Sequence, residues 1–213
     1  MREIDLESWP RRAHYELFRG HAQPYFGVTT EVDVTTLRAL LGDRGVAFSM
    51  GLTYVLTRAA NAINAFRWRI RGERVVEHGA VHPSVTVDLP DSDLFGFCAL
   101  EYAPSSGRFL LGARRDVARC QAVPTLEDPP GRDDLLYLSS LPWLAFTSVR
   151  HPWPDPPDSV PRITNGKFVE RAGRLVMPLD VQAHHALMDG RHLGLYIAGV
   201  QRLLETSEDW LDG

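Results

Sequence analysis

Apolar positions recur at spacings of three and four in several stretches, the signature of helices that bury one face. The clearest run is Leu52, Val55, Leu56, Ala59, Ala60 and Ile63. A second, Leu193, Tyr196, Ile197, Val200, Leu203 and Leu204, predicts a helix near the end of the chain. Leu37, Leu40 and Leu41 place another between Thr35 and Gly42, residues 109–121 read as helical, and a short helix is expected over 10–18 with Ser8 as its cap and Pro10 in its first turn. Elsewhere the period falls to two and β-branched residues accumulate, which predicts strands. These are 27–34, 67–70 and 74–78 (joined tightly around Arg71-Gly72), 84–89, 97–102, 135–140, and 143–149 beyond Pro142. A hairpin is expected from 162–170 to 174–183, turning at Ala172-Gly173. The intervening HPWPDPPDSVP holds five of the fifteen prolines and predicts a stiff loop. Strands and helices mix without regular βαβ alternation or internal repeat, so the expected class is α+β, or a sandwich on a mixed sheet.

Composition adds limits. With 213 residues, 44% hydrophobic and 23% charged, one domain spanning 1–213 is expected. The formal charge of −4, from 23 basic and 27 acidic residues, argues against a nucleic-acid or membrane partner held by bulk charge. No apolar run reaches the roughly 18 residues of a membrane span. The opening MREIDLESWPRR lacks a signal peptide's apolar region, and a cytoplasmic protein is expected. Two cysteines, Cys98 and Cys120, are too few for a disulfide framework and lack metal-ligand spacing. Arginine supplies 22 of the basic residues and lysine one, so Lys167 is the sole side-chain amine.

Chemistry concentrates in QAHHALMDG, residues 182–190, where a strand gives way to a helix and His184, His185 and Asp189 fall within six residues. Spacing alone leaves three readings open. The histidines are structural, or one is a catalytic base, or they ligate a metal with Asp189. A hydrolase dyad lacks its nucleophile, since no G-x-S-x-G elbow is present. Adjacent histidines on a strand point to opposite faces, which disfavours a shared zinc ion.

HHALMDG resembles the H-H-x-x-x-D-G pattern of trimeric chloramphenicol acetyltransferases, a pattern with relatives in dihydrolipoyl acyltransferase cores, condensation domains and plant acyltransferases. SWPRRAHYELF near the start, VDVTTL, SSLPWLAFTS and the hairpin RITNGKFVERAGRLVMPLDVQAHH resemble further segments of the same family, in the same order and over nearly the whole chain. The resemblance implies a two-layer α/β sandwich with a mixed sheet, assembled as a homotrimer with active sites at subunit interfaces. It implies acetyl-CoA as co-substrate, no metal, and transfer of an acetyl group to a hydroxyl of chloramphenicol. His185 would be the general base, its other ring nitrogen bonded to its own carbonyl. Asp189 would pair with Arg11 and hold the geometry, Ser139 would stabilise the oxyanion, and Thr164 would act through a water.

Coenzyme binding is expected at Phe168, against the adenine, and at Lys167, against a phosphate. The family's lysine and tyrosine nearby are replaced here by Ala47 and Ser49. The acceptor cavity is expected to be lined by Phe18, Ala22, Phe26, Phe97, Ala99, Tyr137, Val149 and His151. Phe18 stands where the family has a tyrosine, and His151 where it has an aliphatic residue. The same chemistry on another small alcohol or amine, and a catalytically silent trimeric binding protein, are the alternatives.

Overall fold

The computed structural model describes residues 1–211; residues 212 and 213, the end of the expected single unit, lie outside them. The elements run β1 (Arg2–Glu3), α1 (Arg12–Arg19), β2 (Tyr25–Asp33), α2 (Thr35–Asp43), α3 (Phe48–Asn61), β3 (Trp68–Arg71), β4 (Arg74–Glu77), β5 (His82–Asp88), β6 (Phe95–Ala99), α4 (Ser106–Ala122), β7 (Leu135–Leu141), β8 (Arg162–Gly166), β9 (Val169–Arg171), β10 (Arg174–His184), α5 (Gly190–Glu205) and α6 (Ser207–Trp210). The large sheet has the order β2-β10-β8-β7-β5-β6, with β9 also paired to β10. Its β5–β7 and β7–β8 pairs are parallel and the others antiparallel. A small antiparallel sheet, β1-β4-β3, stands apart. This is the expected α+β sandwich on a mixed sheet.

The two faces of the large sheet differ in chemistry, and the period of two explains why. On β10, Met177, Leu179, Val181 and Ala183 are fully buried, and helices α2–α5 pack on β10, β2, β5 and β6. The alternate positions Asp180, Gln182 and His184 are polar yet also buried. Register carries that polar face across the sheet. Asp180 lies opposite Thr164, Gln182 opposite Arg162, Arg162 opposite Tyr137, and Thr164 opposite Ser139. Tyr137 in turn lies opposite Ser84, Ser84 opposite Ala99, and Thr86 opposite Phe97. Thr164, Ser139, Tyr137, Phe97 and Ala99 thus share one face through pairing alone.

Several expectations are corrected. Residues 143–149 form no strand: β7 and β8 each already have two neighbours, so the chain leaves the sheet after Pro142 with Trp143 and Leu144 exposed. It meets the chain again just past β8, where the Lys167 N–H donates to the Leu144 carbonyl at 2.8 Å. Ser8 does not cap the first helix, because its hydroxyl is bound to Asp5 at 2.7 Å and the helix starts at Arg12. The hairpin is interrupted at Lys167-Phe168, and turns at Ala172 and Gly173, both with positive φ (49° and 76°) as a tight hairpin turn requires. Cys98 on β6 and Cys120 on α4 are joined in a single disulfide, because that helix packs directly on that strand. No helix among the described residues is long and apolar enough to cross a membrane.

Arg69 is completely buried, yet it donates to the carbonyls of Asp133 (2.5 Å), Phe66 (3.0 Å), Trp68 (2.6 Å) and Leu135. It thereby ties the small sheet to the start of β7. Arg69→Met would strand these acceptors in the interior, and a loss of about 2–4 kcal/mol is expected. Urea unfolding measures it, and an unchanged midpoint would contradict this role.

Candidate active site

His185 follows the last residue of β10, and its neighbours fix it on every side. Its N–H donates to the Pro24 carbonyl at 2.7 Å. Its ring stacks on Phe18, with centroids 3.9 Å apart and planes 3° from parallel, and Phe26 leans on it at 4.4 Å. Nδ1 lies 3.0 Å from the Met188 carbonyl. A carbonyl can only accept, so Nδ1 carries a proton and Nε2 is the ring nitrogen left for another partner. This corrects the expected bond to its own carbonyl, which instead accepts from Arg11 Nη2 at 2.9 Å.

Arg11 holds the whole turn. Its Nε donates to the Ala186 carbonyl at 3.0 Å and its Nη1 to Asp189 Oδ2 at 2.7 Å. The other carboxylate oxygen of Asp189 accepts from the Arg191 N–H at 3.0 Å and lies 2.9 Å from His192 Nδ1, so Asp189 caps α5. Burial on its own would raise the Asp189 carboxyl. Arg11, the His192 ring and the backbone donor outweigh it and hold the group at about 2.

His184 faces the other way, as adjacent strand residues must. It is buried, its Nδ1 accepts the Ala186 N–H at 3.3 Å, and burial pushes its ring down to about 4, so it stays uncharged. Tyr25 meets it edge-on at 5.5 Å. Trp153 stacks on Tyr25 at 3.4 Å, and the Arg162 guanidinium lies 3.5 Å above Trp153. Asp158 holds Arg162 through two contacts of 3.0 and 2.7 Å. The proline-rich loop is therefore pinned over the end of β10. Trp153, Arg162 and Gln182 had no sequence signal beyond their residue type, because the contacts that give them a role cross between elements.

Ser139 and Thr164 do not gather round His185. His185 lies five positions beyond Asp180, the β10 partner of Thr164, which is about 17 Å along a strand. Ser139 shares a cavity of about 620 Å³ with Lys167, Phe168, Phe48 and Ser49. Phe168 meets Phe48 edge-on at 5.7 Å, and Lys167 is exposed. Ala22, Phe26, Val149 and His151 line a cavity of about 940 Å³ beside Trp153 and Gln182. Phe97 and Tyr137 line a third, of about 340 Å³, with Ser84 and Arg162. Burial and the nearby Asp128 push the Tyr137 hydroxyl up to about 12. Ala99 lies opposite Ser84, next to this cavity. Thr164 is fully buried and touches His151 Nε2. Within one chain His185 and the Ser139–Thr164 pair thus stand at separate places.

The chain matches the family described as "Chloramphenicol acetyltransferase" over residues 1–201. It belongs to that family. Chloramphenicol acetyltransferase 2 of Escherichia coli is 30% identical over 95% of this chain and 96% of its own length. The Streptomyces acrimycini enzyme is 33% identical over 94% and 93%. A solved chloramphenicol acetyltransferase superposes with a TM-score of 0.84 at 29% identity, covering 95% of this chain and 100% of the other. The catalytic core of a 2-oxoacid dehydrogenase complex from Thermoplasma acidophilum, at 18% identity and a TM-score of 0.69, shares the fold. The chain is accordingly an acyltransferase of this family, and its members take acetyl-CoA as co-substrate.

The Asp189 carboxyl sits near 2 in the folded chain against about 3.9 unfolded. Its stabilising effect is therefore complete above about pH 4 and lost as pH falls through about 2. Urea titrations of wild type and Asp189→Asn across this range should show a gap that is widest near neutrality and closes towards about pH 2. A gap that widens on acidification would refute the assignment.

Proposed function

We propose that this chain transfers the acetyl group of acetyl-CoA to a hydroxyl of chloramphenicol, as a homotrimer whose active sites form between subunits. The observation that carries this is the placement of His185, whose Nδ1 is bonded to Met188 while Nε2 is left for an acceptor hydroxyl among aromatic rings. In the proposed reaction Nε2 removes the proton of the acceptor hydroxyl, and the oxygen attacks the thioester carbonyl. The Ser139 hydroxyl donates to the oxygen that becomes negative. Collapse of that intermediate breaks the carbon–sulfur bond, and the leaving thiolate takes the proton held by His185. Arg11 and Asp189 act through His185, by fixing the turn that aims it.

The coenzyme reading is supported by the cavity that runs from Ser139 to Phe168, which joins the proposed oxyanion donor to the proposed adenine platform. Lys167, exposed at its rim, would meet a phosphate as a point charge. Phe18, Ala22, Phe26, Phe97, Ala99, Tyr137, Val149 and His151 would surround the acceptor, with Phe26 and Phe97 suited to a flat ring. The separation of His185 from Ser139 and Thr164 supports the trimer, since a second copy is then needed to bring base and oxyanion donor to one substrate.

An acetylation assay following thiol release, with chloramphenicol among a panel of small alcohols and amines, tests the substrate. Turnover of chloramphenicol no faster than of unrelated alcohols would reject it. His185→Ala is expected to lower turnover by about 10²–10⁴-fold and Ser139→Ala by about 10²–10³-fold. Lys167→Ala is expected to raise KM for acetyl-CoA alone. When the His185→Ala and Ser139→Ala proteins are unfolded together and refolded, hybrid trimers should recover activity. Sites contained within one chain would recover none.

A further inference from the structure

The most unusual contact on the polar face of the sheet is between His151 and Thr164. His151 Nε2 lies within hydrogen-bond distance of Thr164 Oγ1, and the His151 N–H reaches Gln182 Oε1 at 3.4 Å. Gln182 is itself tied down, donating to the Val149 carbonyl at 3.1 Å and to Asp180 Oδ1 at 2.7 Å. Asp180 Oδ2 accepts from Thr29 at 2.6 Å. A chain of hydrogen bonds therefore runs from the edge strand to His151 and fixes where its ring stands.

The direction of the last bond follows from what Thr164 lacks. Thr164 is fully buried, and among the described residues His151 Nε2 is the one acceptor recorded for its hydroxyl. Were Nε2 protonated, the Thr164 hydrogen would be stranded in the interior, which costs more than an idle lone pair. Thr164 therefore donates to Nε2. A neutral imidazole carries one proton, so that proton is on Nδ1. Burial and the nearby Arg162 guanidinium push the ring down from its ordinary value, which keeps it neutral at pH 7. Among the described residues Nδ1 has no hydrogen-bond partner, and it is not among the sealed polar atoms. His151 lines the 940 Å³ cavity.

We infer that His151 is the specificity-determining donor of the acceptor pocket: it accepts the hydrogen bond of the Thr164 hydroxyl at Nε2 and presents Nδ1–H to an oxygen on the acceptor, such as an amide carbonyl or a nitro group. The inference rests on the acceptor-pocket reading above. It gives the pocket a preference for acceptors with a hydrogen-bond-accepting oxygen at this point, and it removes Thr164 as a free donor. His151→Leu would reverse both effects, by deleting the imidazole donor and releasing the threonine hydroxyl.

Two measurements on the intact protein test it, and neither needs turnover. Long-range 15N–1H correlation spectra of the wild type report which ring nitrogen of His151 holds the proton, and Nδ1 is expected. Calorimetry then gives Kd for chloramphenicol, for its analogue with the amide carbonyl reduced to methylene, and for the analogue without the nitro group. In the wild type, loss of one of these oxygens should raise Kd by about three- to tenfold. In His151→Leu the same change should raise it by less than about twofold. Protonation on Nε2, equal ratios in the two proteins, or no binding of any of the three compounds overturns the inference. Absence of acetyl transfer with these Kd ratios intact would instead remove the proposed function and leave His151 as the donor of a binding pocket.

Discussion

Arg11 is the contact on which the geometry of the His185 turn depends. A strand that ends and a helix that begins within six residues leaves carbonyls pointing away from both ladders, and such groups are costly when unpaired. One guanidinium collects three of the acceptors: the carbonyls of His185 and Ala186, and the Asp189 carboxylate. Its planar fork suits this better than a lysine ammonium, whose single point of charge cannot meet three oxygens in fixed directions. The His185 ring binds the Met188 carbonyl, and an acceptor there keeps a proton on Nδ1. The turn that carries His185 is thus held by a residue 174 positions away in sequence.

The sheet provides the second constraint. A face lined with Asp180, Gln182, His184, Arg162 and Thr164 is a poor place to pack helices, so all the large helices gather on the other side. Burial of the polar face is tolerable because its groups satisfy one another, through Thr29 to Asp180, Asp180 to Gln182, and Gln182 to the 149–151 backbone. The proline-rich loop completes the cover. Trp153 lies between Tyr25 and Arg162, an arrangement that buries aromatic surface and a cation together. Stiffness from five prolines lowers the entropy lost when this long segment is fixed in place.

Much of this was legible in the chain, and the limits have physical causes. Helix faces were readable at Leu52–Ile63 and Leu193–Leu204 because burial there repeats with the helical period. The strand expected at 143–149 was misread: the β-branched and aromatic composition suits a strand, but a strand also needs an unpaired neighbour, and pairing is set by elements far away in sequence. Ser8 looked like a cap from spacing, yet Asp5 lies closer to its hydroxyl. His184 and His185 are identical in type and adjacent, and only the pleat separates them, one buried and uncharged and the other half-exposed. The resemblance picked out His185, Arg11 and Asp189 together, but not that the His185 ring would bind Met188. The contact between His151 and Thr164 was beyond sequence reasoning, since it joins a loop to a strand thirteen residues on.

The two hydroxyl-bearing residues of the polar face show why composition alone undersells such a site. Ser139 and Thr164 are direct neighbours in register, one on β7 and one on β8, and by residue type they are nearly interchangeable. Their surroundings separate them. Ser139 is half-buried at a cavity wall, where a hydroxyl can rotate towards a developing charge. Thr164 is sealed, its one recorded partner an imidazole, so its proton is already committed. A threonine fixed in this way no longer serves as an adaptable donor, and the job of meeting a polar acceptor passes to the ring that holds it. An imidazole at position 151 is then more than added polarity in a pocket. It redistributes hydrogen-bond donors between two residues, His151 and Thr164.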